Sequence, residues 1–93
     1  KEYEQSTQRN PNFPYSWFNR GNTLASSNDY RNAIANYNKA IELNKDFAEA
    51  YFNRGLCKIR IGENDSGVAD LSKAGEMGIY VAYNIIKRFR EKD

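Results

Sequence analysis

Histidine is absent from this 93-residue sequence, and cysteine occurs once. Without an imidazole there is no Ser–His or Cys–His nucleophile pair and no histidine metal ligation. Cys57 alone cannot close an intramolecular disulfide. A reducing compartment fits this without being required, so localisation stays open, the cytoplasm being slightly favoured. No apolar run is long enough to cross a bilayer and no signal peptide opens the chain, so no membrane insertion is expected. An excess of one charge is missing too. Fourteen basic residues face twelve acidic ones, for a net charge of +2, which gives no reason to expect a nucleic-acid partner. The carboxylates do not converge: Asp29, Glu63 and Asp65 fall at turns, where helix capping explains them. No metal-ligand spacing is present. No catalysis and no cofactor are expected.

Aromatic residues are plentiful, with seven Tyr, five Phe and one Trp, enough for the packed core of one small domain. The tetrapeptide FNRG occurs at Phe18–Gly21 and again at Phe52–Gly55, 34 residues apart. The same shift pairs Tyr3 with Tyr37, Asn10 with Asn44, Phe13 with Phe47, Trp17 with Tyr51 and Ala40 with Ala74. Matches spread this widely mean a repeated structural unit and not a duplicated motif.

Each unit reads as two helices. Trp17, Phe18, Gly21, Leu24 and Ala25 have helical spacing from about Tyr15 to Ser26. The cluster Ser26-Ser27-Asn28-Asp29 breaks that helix, and Asp29 is placed to cap the next. The second helix carries Ala33, Ile34, Tyr37, Ala40 and Ile41 and ends near Asn44. Ala50, Tyr51, Cys57 and Ile61 repeat the first helix; Val68, Leu71 and Ala74 repeat the second. Gly62 to Asn64 make the turn, and Gly75 and Gly78 bracket the end. Beyond them Ala82, Ile85, Ile86 and Phe89 form an apolar stripe among basic residues.

Trp17, Gly21, Leu24, Tyr30, Ala33, Tyr37 and Ala40, with Tyr51, Gly55, Leu71 and Ala74 in the second unit, resemble the tetratricopeptide repeat (TPR). The resemblance implies an all-α superhelical solenoid of antiparallel helix pairs, about six helices in all. Residues 1–13 read as the end of a preceding repeat, 14–47 as a repeat, 48–78 as a degenerate repeat and 79–93 as a C-terminal capping helix. The chain begins at Lys1, inside what reads as a helix, and is expected to be cut from a longer protein. The second unit departs from the family pattern at Lys58, where a large apolar residue is usual, at Gly67, where Ala is usual, and at Lys45, where Pro is usual. These departures are expected to weaken its helices.

The resemblance also implies a concave groove lined by the first helix of each pair. The side chains expected there are Tyr15, Phe18, Asn22, Ala25 and Ser26, then Glu49, Phe52, Leu56, Ile59 and Arg60, then Asn84 and Arg88. Phe18, Phe52, Leu56 and Ile59 would make an exposed apolar row, which usually marks an interaction site. Some TPR domains clamp the terminal carboxylate of a chaperone peptide with Lys, Asn and Arg. Asn22 and Asn53 occupy matching places, but Phe18, Val81 and Ile85 stand where the cations belong, so that clamp is not expected. Asn19 and Arg20, with Asn53 and Arg54, are read as packing groups, since they repeat in step with the fold; the alternative is carboxylate binding, for which Arg offers a bidentate pair. RNA stacking on Arg20, Arg54 and Arg60 is disfavoured by the charge balance. The expected function is a protein or peptide interaction in the groove. The alternatives are a spacer and cap within a longer array, or a homo-oligomer formed through the same groove.

Overall fold

The computed structural model describes residues 13–91. These form five helices: α1 (Phe13–Ser26), α2 (Tyr30–Leu43), α3 (Ala48–Arg60), α4 (Asn64–Glu76) and α5 (Val81–Glu91). Consecutive helices pack as antiparallel pairs, and α1 also touches α3. The expected architecture is therefore present. The sixth helix, expected over residues 1–9, lies outside the described residues.

The same chain reversal closes α1, α3 and α4. Asn28, Gly62 and Gly78 have φ of 66°, 92° and 114°. At each, the following N–H reaches five residues back: Asp29 to the Leu24 carbonyl, Glu63 to Lys58 and Ile79 to Ala74. This bond satisfies a helix-terminal carbonyl and demands a left-handed residue, which Gly supplies freely and Asn tolerates. Asp29 occupies the N-cap position of α2, but its side chain bonds no backbone N–H. Instead its Oδ2 accepts from the Asn32 side chain at 2.8 Å. The expected capping bond is thus replaced by a side-chain pair.

The core forms two clusters. Phe18, Ala33, Tyr37, Ala40, Ile41, Phe47, Ala50 and Cys57 fill the space among α1, α2 and α3. Leu71, Ala74, Ala82 and Ile86 hold α5 to α4. Tyr51 packs against both clusters and joins the two pairs. Phe18 lies 4.8 Å from Phe47 and 5.8 Å from Tyr37 between ring centroids.

Glycine sets the approach of each pair. A Cβ on Gly21 would fall 2.7 Å from the Tyr37 ring, and one on Gly55 would fall 2.7 Å from the Gly67 carbonyl oxygen. A Cβ on Gly67 would meet the Gly55 carbonyl at 2.7 Å and Ile59 Cγ1 at 2.6 Å. Gly67 is thus required by direct backbone contact between α3 and α4, and the weakening expected from its departure does not describe its role.

Lys58 is matched in the same way. Asp70, only 6% exposed, accepts a bidentate pair from Arg54: Nε at 2.7 Å and Nη2 at 2.8 Å. Lys58 Nζ lies 3.2 Å from the same carboxylate and donates to Ser66 Oγ at 2.8 Å. Arg54 Nη1 also reaches Asn38 Oδ1 at 2.8 Å. A carboxylate is retained in a buried seam only when its lone pairs are met. Shifting by 34 residues puts Leu24 and Asn36 at the places of Lys58 and Asp70, so the apolar-to-cation change in α3 accompanies an amide-to-carboxylate change in α4.

Two substitutions in this seam, Gly67→Ala and Asp70→Ala, and one outside it, Gly75→Ala, are compared by urea denaturation. Gly67→Ala lowers stability by about 1–3 kcal/mol from overpacking, against the helix-propensity gain of about 1 kcal/mol that alanine brings. Gly75→Ala costs less, because its added Cβ meets the ring of Tyr83, a 43% exposed side chain that is free to swing away. Asp70→Ala costs about 3 kcal/mol, the low end for breaking a buried pair, since Arg54 and Lys58 still reach water.

Candidate functional site

On α1, Asn22, Ala25 and Ser26 follow spacings of three and four residues; on α3, Asn53, Leu56, Cys57 and Arg60 do the same. Such spacing puts each set on one helical face. The packing of α1, α2 and α3 turns the two stripes toward one another, and Tyr30 and Tyr37 of α2 close the floor. Together these residues line an open cavity of about 310 Å³.

Its polar groups are fixed by a three-helix node. Asn22 Oδ1 accepts from the Tyr37 hydroxyl at 2.5 Å and from Asn53 Nδ2 at 2.8 Å. Both lone pairs of that oxygen are thereby used. The Asn22 Nδ2 donors and the Asn53 Oδ1 acceptor keep their capacity. Arg60 stands over the Tyr30 ring, 5.7 Å from guanidinium carbon to centroid. The Tyr30 hydroxyl in turn donates to Asn28 Oδ1 at 2.9 Å. Burial pushes the Tyr37 hydroxyl up to about 12. The Cys57 thiol beside it adds to the rise, and hydrogen bonding with Asn53 offsets part of it. Burial also raises the Cys57 thiol, partly countered by the Arg60 charge. Both groups are therefore neutral near pH 7, and neither is an activated nucleophile. Among the described residues no cluster of His, Cys, Asp and Glu could hold a metal ion.

The residues expected in the groove separate into three groups. Asn22, Ala25, Ser26, Leu56 and Arg60 line the cavity. Tyr15 is half exposed and stacks on Phe47 at 6.1 Å; Glu49 is exposed on the first turn of α3. Phe52 is half-buried against the second core cluster, and Asn84 and Arg88 are exposed on α5. Two side chains turn elsewhere. Phe18 is 8% exposed and belongs to the core; Ile59 packs toward Gly67 of α4. The continuous apolar row expected from Phe18 to Ile59 is consequently shortened to Phe52 and Leu56. Asn53, Tyr30, Tyr37 and Cys57 were not among the expected groove residues. The spacing of Asn53 with Leu56, Cys57 and Arg60 was the available signal for two of them. Asn53 bonds a neighbouring helix, as expected of a packing group. Arg54 makes the bidentate carboxylate pair its chemistry allows, but with Asp70 inside the fold.

A tetratricopeptide repeat profile matches residues 2–35, and a second, described as a TPR repeat, matches residues 21–62. This chain belongs to the tetratricopeptide repeat family. No curated protein matches it. Among solved structures it is similar to the first TPR of Spaghetti (RPAP3) bound to the HSP90 peptide SRMEEVD. The TM-score is 0.83 at 20% identity, over 97% of this chain and 73% of that one. At that identity the likeness speaks for the TPR fold alone. No helix among the described residues is long and apolar enough to cross a membrane.

The node has a pH signature. The Tyr37 value is raised from 10.0 to about 12 on folding, so its contribution is complete below pH 10 and is lost as pH rises toward 12. The shift corresponds to about 3 kcal/mol. Stability of this TPR chain, followed by circular dichroism, should fall across that interval, and Tyr37→Phe should remove this part of the fall while losing the bond to Asn22.

Proposed function

We propose that this TPR chain is a non-enzymatic module that binds a partner peptide or helix in the groove between α1 and α3. The observation that carries this reading is the oriented pair of amides, Asn22 and Asn53, in an open cavity beside half-buried Leu56. A side-chain N–H and a side-chain carbonyl held side by side suit the C=O and N–H of an extended main chain. Fixed groups lose little entropy on binding. Leu56 and Phe52 supply the neighbouring apolar contact. Glu49, Tyr15, Asn84 and Arg88 form the outer rim in this reading. The peptide bound to the Spaghetti TPR domain supports it by analogy of fold.

The second reading, a spacer and terminal cap within a longer array, rests on α5. Its face with exposed Tyr83, Lys87 and Arg90 suits the solvated outer side of a terminal cap. The division of the chain at 14–47, 48–78 and 79–93 belongs to this reading as well as to the first.

Affinity capture from source-cell extract separates the two. Wild-type chain is compared with a Phe52→Ser, Leu56→Ser variant whose helicity is verified by circular dichroism. Groove binding predicts a captured protein that the variant loses. Identical captured sets would leave the spacer reading, and a shift of the chain's own mass by sedimentation would mark self-association.

A further inference from the structure

Among the described residues, Arg60 is the only charged side chain lining the cavity. It is exposed, and none of the ion pairs among the described residues engages it. Arg54 is different: its guanidinium is occupied by Asp70 and Asn38. The guanidinium carbon of Arg60 stands over the Tyr30 ring, and no hydrogen bond among the described residues uses its N–H groups. The in-plane N–H groups that form a fork for carboxylate remain available. The ring beneath is itself pinned through its hydroxyl to Asn28, so the cation is held at the cavity and not left on a free stem. The Asn22 amide donors line the same cavity, and among the described residues no carboxylate does.

The charge count narrows the ligand. One guanidinium neutralises one carboxylate. A C-terminal Asp or Glu would bring two, and the second would face Leu56 and amides alone. We propose that Arg60 makes this groove selective for a single acidic side chain within an extended peptide, flanked by an apolar residue seated on Leu56 and Phe52. The segment proposed is internal to its chain, and reading of a lone terminal carboxylate is the outcome set against it in the test. This rests on the peptide-groove reading above.

The test uses the whole chain, immobilised, and two pools of short peptides acetylated and amidated at their ends, with the Gln pool also prepared with free C-terminal carboxylates. The pools carry Glu or Gln at one central position and random residues around it. Wild-type chain should retain the Glu pool about tenfold better, the effect of one charge-assisted pair, with apolar residues enriched next to the fixed position. Arg60→Gln should remove the preference while still retaining peptides, and Arg60→Lys should restore part of it. Equal retention of both pools, an unchanged preference in Arg60→Gln, or retention only of peptides with a free C-terminal carboxylate would each overturn the role of Arg60 and leave the peptide groove standing. No retention at all, or retention undiminished in the Phe52→Ser, Leu56→Ser variant, would overturn the groove reading together with this one.

Discussion

The hydroxyl of Tyr37 is the point on which the rest of the structure depends. Its ring lies where a side chain on residue 21 would otherwise stand, so it fixes how closely α1 and α2 approach. Its hydroxyl then binds Asn22, and the same oxygen of Asn22 binds Asn53 on α3. One buried tyrosine thus sets the spacing of a helix pair, the position of the next pair and the orientation of the amides in the groove. A buried polar network that is satisfied in this way specifies one arrangement, because any slippage would leave a desolvated hydroxyl or amide unpaired.

The second helix pair solves the same packing problem by other means. Where the first sets an aromatic ring on Gly21, the second brings two backbones into contact at Gly55 and Gly67. Where the first has Leu24 and Asn36 at the matching places, the second has Lys58 and Arg54 around Asp70. Departures from a repeat pattern that look like losses one at a time are compensated in pairs. The small residue permits an approach at which the carboxylate and its two cations meet. This division of labour commits the paired cations to the seam and leaves Arg60 as the one charged group, among the described residues, that lines the cavity.

The repeat was legible because it rests on spacing. A shift of 34 residues brought Gly21 onto Gly55 and Asn28 onto Gly62, and the structure uses both pairs alike, the first for close approach and the second for a left-handed turn. The groove was legible in part. Asn22, Leu56 and Arg60 were found from their place on the first helices. Phe18 and Ile59 were expected beside them and lie instead in the core and against α4. Helical periodicity says which residues share a face, but groove and interhelical faces adjoin, and the way the helices pack decides where one ends.

The sequence by itself determined the helices, their turns and their pairing, since these follow from local spacing, from glycine at positive φ and from apolar periodicity. Tertiary structure alone decided which polar groups are used up within the fold and which remain for a partner. Arg54 and Arg60 are the same residue type six positions apart on one helix. One meets Asp70 across the seam, while the other stands over the ring of Tyr30. The difference lies in what the neighbouring helix presents at contact distance. That depends on the approach of two backbones and is written in no local stretch of the chain.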